Sequence, residues 1–462
     1  MTVIAQAGVF GFGPQGTMGT IASTFYRHKA GDIDLAPVDD VRTGPPEIGG
    51  VPVPTIPYKA GSLAAGGATI YPRLENTLGW LLYGSMGGYT VSGSGGGGVG
   101  FPEVCMGRVY LKVATQVVTR GLTSPTSGSG TKVIIKGYRD GAAPLTGNVI
   151  IRGTTSGSPV QETIALSDKN EVLSTYIWQT VTQVDLPAWI NSDGNDAVSV
   201  GWYDTSMRQH KFAFNSTNNS LIPWMSFRKL IPGSSNSPTF GEQFVDCKVL
   251  GMTFTLPNEG LIGARVDAMG RTFEFVDTPD QSWSWANTYE DYTSIPIGCT
   301  VGGYISVPSY GDRPLPVVAC TVGIQNAPLD IRQERTYGSP DLEDITITGR
   351  QLVFDVTCKW RDPSLYRAIQ TNSRTGTVWS TVPFVKSLDV YARSPSFAVG
   401  GNSPYALRIE SDSVMWQLAG GVRLVGNQMV AVRMQGVALD TNGNYARMSL
   451  INRVVQYLWP AS

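Results

Sequence analysis

Histidine is nearly absent from this chain, with two residues in 462, His28 and His210. Zinc sites and imidazole acid–base chemistry draw on histidine first, so both are poorly supplied. Charge is also sparse: Asp, Glu, Lys and Arg make up 15% against the usual share of about a quarter. Helices lean on Glu, Lys and Arg, so this composition disfavours them. The 35 Lys and Arg are offset by 36 Asp and Glu, which leaves no basic field to hold nucleic acid by counterion release. No apolar run approaches the roughly 18 residues of a membrane helix. Met1 to Val9 carry neither a basic n-region nor a long apolar stretch, which reads as no signal peptide and synthesis in the cytoplasm. Cys105, Cys247, Cys299, Cys320 and Cys358 are scattered without a CxxC pair and are expected to be buried free thiols.

What the chain has is glycine, 54 residues, proline, 29, and an apolar fraction of 42%. That is enough for ordinary cores, in about two to four domains by length. Short alternating runs at Lys132 to Lys136, Asn148 to Arg152, Glu162 to Leu166, Lys248 to Leu256, Gln351 to Cys358, Tyr405 to Glu410 and Met429 to Gln435 read as half-buried strands. Two helices are expected. Leu74 to Tyr83 has leucines at helical spacing, and Ser364 to Gln370 opens after Asp362-Pro363.

The two helices sit in matching contexts. Thr69-Ile70-Tyr71 leads through Arg73-Leu74-Glu75 into the first, and Val356-Thr357-Cys358 through Arg361-Asp362-Pro363 into the second. Each half then carries two long strands about a sharp turn. In the first half these are Val249 to Leu256, the turn Pro257 to Gly260, and Leu261 to Gly270; in the second, Val414 to Leu418, a turn at Gly420-Gly421, and Gln428 to Gly436. The preserved order reads as a tandem duplication. Between the halves, after the glycine-rich Ser92 to Gly98, strands recur every eight to twelve residues from Arg108 to Tyr203. That spacing is expected of an inserted immunoglobulin-like sandwich with its two ends close together.

The expected fold is therefore all-β: duplicated sandwich or barrel domains, each with a short helix, plus the insert. The units are 1–107 with 205–276, the insert 108–204, and 277–462. No catalytic, cofactor or metal site emerges. Gly11-Phe12-Gly13-Pro14-Gln15-Gly16 matches GxGxxG, but Pro14 removes an amide donor and no βαβ unit follows, so it reads as a turn-rich N-terminal arm. Asp39, Asp40, Glu290, Asp291, Glu343 and Asp344 are the carboxylates that a glycosidase reading would draw on; adjacent pairs in loops are more often solvated turns. No GxSxG nucleophile elbow is present.

Three stretches resemble the tail tube proteins of tailed bacteriophages. They are Val51-Pro52-Val53-Pro54-Thr55 through Lys59-Ala60-Gly61 to Leu78-Gly79-Trp80-Leu81-Leu82-Tyr83-Gly84; Trp224 to Arg228 with Val249 to Leu256 and Gly263 to Gly270; and Ile345 to Arg350 through Tyr366 with Pro404 to Glu410. The insert resembles phage-associated sandwiches through Gly147 to Thr154, Glu162 to Leu166 and Val181 to Pro187. The resemblance implies a non-enzymatic virion protein, assembled in the host cytoplasm, whose stacked rings close long strands into one inner β-barrel that passes DNA during ejection. With two tube domains per chain, three chains would make a pseudo-hexameric ring; six would be needed otherwise. The implied partners are further copies of the chain, a tape measure in the lumen, a tail terminator, a distal tail protein and, transiently, DNA. The hairpins Lys248 to Gly270 and Val414 to Gly436 are expected to line the lumen, where Lys248, Arg265, Arg271, Arg423 and Arg433 would threaten to grip DNA. The N-terminal arm and the loop Asp277 to Asp312 are expected to reach neighbouring rings. The insert is expected to project outward, with host surface glycans as a further partner. The alternative reading is a virion-associated glycan-binding adhesin, which exposed aromatics in a line on the insert would favour.

Overall fold

The structure is a computed structural model. It describes residues 8–44, 53, 57–92, 99–125, 128–138, 144–167, 170–188, 196–214, 222–234, 238–286, 296–298, 303–306, 316–361, 363–397, 404–422, 424, 429–440 and 445–460, with the backbone alone at 99–104, 304, 306 and 395–397. Strands hold 60% of the chain and helices 6%, so the fold is all-β as expected.

In chain order the first strands are β1 (Val9–Pro14), β2 (Tyr26–His28), β3 (Ala30–Ile33), β4 (Ala36–Thr43), β5 (Pro57–Ile70), β6 (Gly87–Ser92), β7 (Val99–Tyr110) and β8 (Gln116–Val118). There follow β9 (Thr131–Tyr138), β10 (Asn148–Thr155), β11 (Ser158–Ala165), β12 (Glu171–Trp178), β13 (Thr180–Leu186), β14 (Ala197–Asp204), β15 (Arg208–Phe214) and β16 (Met225–Ile231). The last are β17 (Phe240–Pro257), β18 (Gly263–Asp277), β19 (Tyr304–Ser306), β20 (Val317–Pro328), β21 (Ile347–Lys359), β22 (Phe384–Phe397), β23 (Pro404–Leu418), β24 (Ala431–Ala438) and β25 (Arg447–Asn452). The helices are α1 (Thr77–Met86), α2 (Pro279–Ser282) and α3 (Ser364–Thr371).

Eight strands form one continuous antiparallel ladder in the order β4-β5-β18-β17-β20-β21-β24-β23. Side chains alternate across a strand, and here the alternation separates two chemistries. Met252, Phe254, Val266, Val322, Ile324, Leu352, Phe354, Val356 and Trp416 face one side and are buried. Each such side chain stabilises by about 1.5–3 kcal/mol on burial. The first half of β17 instead pairs with β16, which leads to β1 and β2. The first half of β23 pairs with β25, which leads to β15 and β6, while β22 runs along its other side. The sheet does not close into a barrel within the chain. A strand pair followed by a short helix and then by further ladder strands occurs in both halves, as β4-β5-α1 before β17-β18 and as β20-β21-α3 before β22-β23-β24.

Helix α1 starts at Thr77, three residues later than the leucine spacing suggests. The Leu74 carbonyl is taken by the Asn452 amide at 2.9 Å, so Leu74 belongs to the turn. Gly79 is required there, because a methyl would run into the Tyr457 ring. At the other end the Arg350 guanidinium donates to the Ser85 and Met86 carbonyls, satisfying the unpaired acceptors of a helix C-terminus.

Residues 99–204 form two four-stranded sheets, β11-β10-β13-β8 and β12-β9-β14-β7, around the buried Val133, Ile135, Val149, Ile151, Trp178 and Trp202. The boundary expected at Arg108 falls inside β7, which pairs with β14 from Val99 onward. Ser92 and Gln209 are direct partners across β6 and β15, so both ends of this unit leave from one point on the long sheet. β15 also pairs with β25 and therefore joins the expected first unit to the last strand of the second.

The expected arm at Gly11 to Gly16 is instead core. β1 lies between β2 and β16 with Phe10 and Phe12 fully buried, and its glycines leave room for Trp285 and the Thr24 carbonyl. Residues 1–7 lie outside the described residues. Within the expected loop Asp277 to Asp312, α2 and the following segment pack back on the body: Trp283 lies against Gly241 and Trp285 against Gly11. Residues 287–295, 299–302 and 307–312 lie outside the described residues.

Candidate functional surface: the open face of the long sheet

The other face of the eight-stranded ladder carries small and polar side chains in rows across the strands. One row runs Gly67, Asp267, Gly251, Gln325 and Gln351. The next runs Asp32, Thr69, Arg265, Thr253, Gly323, Val353, Val437 and Met415. A third runs Gly263, Thr255, Thr321, Asp355, Gln435 and Gln417, and a fourth Pro257, Ala319, Thr357 and Arg433.

The two arginines in these rows are held by carboxylates. Arg265 donates from Nη2 to both Asp34 oxygens, at 2.8 and 2.7 Å, and from Nε to Asp267 at 2.8 Å. Arg433 donates from Nε at 2.9 Å and from Nη2 at 2.5 Å to Asp355, which also accepts from Gln435 at 3.2 Å. These bonds hold the Asp34 and Asp355 carboxyls below their usual range, so the cages persist through the neutral range. With Asp34 included, the four rows carry two arginines and four aspartates (Asp32, Asp34, Asp267, Asp355), a net charge of 2 − 4 = −2.

Two of the other basic residues singled out in the sequence do not line the open rows. Lys248 is buried beneath the segment 329–346, donating to Asp344 at 3.0 Å and to the Ile345 carbonyl at 2.8 Å. Arg271 donates to Asp246 and to the Leu342 carbonyl. Arg423 lies outside the described residues. The segment 329–346 therefore covers the upper end of the face, packing Leu342 and Ile345 on Leu63 and Met269. Sequence reading missed the compensating aspartates. Arg265 and Asp267, two apart on one strand and so on one face, carried a legible signal, whereas Asp34 and Asp355 reach their arginines from distant segments.

The remaining candidates are dispersed. His28 and His210 are both buried, and burial lowers each to about 4. His210 meets the Tyr89 hydroxyl at 2.9 Å inside an aromatic cluster. Asp39 pairs with Lys59, and Asp40 with Arg42 and Arg335. Asp344 pairs with Lys248, while Glu290 and Asp291 lie outside the described residues. Cys105, Cys247, Cys320 and Cys358 are buried; Cys299 is outside the described residues. Burial pushes the Cys105 and Cys358 thiols up to about 12. Among the described residues no group of three or more His, Cys, Asp or Glu is placed to hold a metal ion, and no helix is long and apolar enough to cross a membrane. In the insert, Trp178 and Trp202 are fully buried and Tyr176 is exposed, so no line of exposed aromatics forms among its described residues. No protein-family model matches the sequence, and no curated protein matches it.

Proposed function

We propose that this chain is a structural subunit of a bacteriophage tail tube, a virion protein that self-assembles into stacked rings whose inner β-barrel is the channel for DNA ejection. The observation that carries the reading is the long antiparallel ladder with one apolar face buried and the other carrying open rows of mostly small and polar side chains, in which Arg265 and Arg433 are held by carboxylates. β22 pairs with Val414 to Trp416 on the side of β23 away from β24, so it extends the ladder past its eighth strand. β4 has β5 as its one described ladder partner, so its other side is an open edge. Unpaired edges of this kind are templates for pairing with another chain, and closing the ring removes them.

The repeated order of strands and helices supports a tandem duplication, and a ring of three chains follows from it. Residues 99–204 are the immunoglobulin-like insert, carried outside the ring from the Ser92–Gln209 pair. The caged arginines suit a wall past which DNA slides, because guanidinium already bound to carboxylate releases no counterions on meeting phosphate. The tape measure, the terminator and the distal tail protein are the remaining partners of this reading. Sedimentation velocity over a wide concentration range tests it. Three-chain species and longer assemblies are expected, and a single monomer boundary throughout would reject it.

A further inference from the structure

Lysine is rarely buried without a partner, and Lys248 on β17 is 2% exposed. It stands opposite Met269 of β18, beneath segment 329–346, with Nζ 4.2 Å from the centre of the Trp224 ring. Nζ donates to Asp344 Oδ1 at 3.0 Å and to the Ile345 carbonyl at 2.8 Å. A second carboxylate of the segment, Glu334, is also buried, and its Oε1 accepts from the Thr346 amide at 2.9 Å. The segment is closed on itself around these groups. The Leu329 amide donates to the Thr346 carbonyl and the Glu343 amide to the Glu334 carbonyl, each at 2.8 Å.

A primary amine held against a carboxyl group, with a further carboxylate to carry protons, has what an amide bond between side chains requires. Each part is present here. Burial pulls the Lys248 ammonium below its ordinary pKa; Asp344 and Glu334 oppose that shift and Arg271 adds to it. The neutral, nucleophilic amine is thereby brought within easier reach. The Ile345 amide donates to Asp344 Oδ1 at 2.6 Å, so a donor already faces the oxygen on which negative charge would develop. The Asp344 side chain is 43% exposed, which leaves a departing water a way out. From this arrangement we infer that Lys248 and Asp344 join in an isopeptide bond that forms within the folded chain, with Glu334 as the proton carrier.

The Lys248 ammonium first passes one proton to the Asp344 carboxylate, which leaves a neutral amine beside a neutral acid. Nζ then attacks Cγ, and Oδ1 takes the negative charge in front of the Ile345 amide. Glu334 accepts a proton from Nζ and delivers it to the Oδ2 hydroxyl. The Cγ–Oδ2 bond breaks, the Cγ–Nζ amide remains, and one water leaves. Glu334 ends as it began, and no oxidant, reductant or energy donor enters. The bond joins residues 96 apart, tying segment 329–346 to β17. Closing a loop of that size restricts the unfolded chain and so stabilises the fold.

The test is the intact mass of the purified full-length chain after denaturation, followed by peptide mapping, with Asp344→Ala prepared in the same way as the reference. Wild type is expected to be lighter than its sequence by one water, with the peptides of Lys248 and Asp344 recovered as one branched species. Asp344→Ala and Lys248→Arg should keep their full sequence masses. Asp344→Asn should still close, losing ammonia in place of water. Glu334→Gln should leave most of the chain open while its circular dichroism melt stays cooperative. A wild type at full sequence mass after prolonged incubation, with the two peptides separate, would make the contact a plain ion pair and overturn the inference. Loss of water from Asp344→Ala would overturn it as well, by placing the dehydration elsewhere, and complete closure of Glu334→Gln would overturn the role of Glu334.

Discussion

Replacing Asp34, Asp267 and Asp355 by asparagine would uncage Arg265 and Arg433 while keeping nearly the same shape. The four rows change from 2 − 4 = −2 to 2 − 1 = +1 per chain, a gain of three charges. In the proposed ring of three chains, the two freed guanidinium groups of each chain would make six phosphate contacts available. Six contacts imply a fall in affinity of roughly 10³ between 50 and 200 mM salt, from a slope of about −0.9 per phosphate. The assay is fluorescence anisotropy of a labelled duplex of about 30 base pairs with the assembled protein, as a function of salt. Wild type is expected to show no salt-dependent binding near physiological salt; the triple variant should bind tightly at low salt with a steep slope. Adding Arg265→Gln to the triple variant should lower that slope by half. Equal binding by wild type and triple variant would refute the assignment of these carboxylates as charge masks. Tight salt-dependent binding by wild type would refute the non-gripping face itself.

Three further outcomes are expected. Gly79→Ala should destabilise by about 1–3 kcal/mol through overpacking, since the new methyl meets the Tyr457 ring, and urea denaturation would measure it. Stability should fall as pH drops from 6.5 toward 4, because burial lowers His28 and His210 to about 4 while the unfolded chain binds protons from its ordinary value of 6.5. His210→Gln should remove one share of that slope, up to about 3 kcal/mol at 1.36 kcal/mol per pH unit, and an unchanged profile in denaturant titrations at successive pH values would contradict it. Replacing residues 93–208 by Asn-Gly should leave the body folded and assembling, since Ser92 and Gln209 already face each other as a hairpin pair; loss of the cooperative melt would show that the insert is integral to the body.

The strand runs were legible because alternation of buried and exposed side chains is a local signal. Lys248 to Leu256 and Gln351 to Cys358 lie within β17 and β21, and of the expected turn Pro257 to Gly260 all but Pro257, the last residue of β17, fall between β17 and β18. The N-terminal strand was hidden by its glycines. Read by composition, Gly11 to Gly16 looks like a loop, yet Phe10 and Phe12 alternate as a strand requires, and the glycines answer to Trp285 and Thr24, which are distant or unreadable as contacts in the sequence. The insert's first strand was hidden in the same way by Pro102 and Gly107. Long-range choices were not legible at all: that β15 pairs with β6 on one side and the C-terminal β25 on the other, that Asp34 reaches Arg265, and that segment 329–346 folds over the face to Asp40. Each depends on which of several compatible edges meet, which no periodicity encodes.

The most direct measurement is electron microscopy of the purified full-length protein at rising concentration. Rings with a central channel, each built of three chains bearing two lobes and stacking into tubes, are the predicted result. Isolated single chains at every concentration and after prolonged incubation would contradict the tail tube assignment.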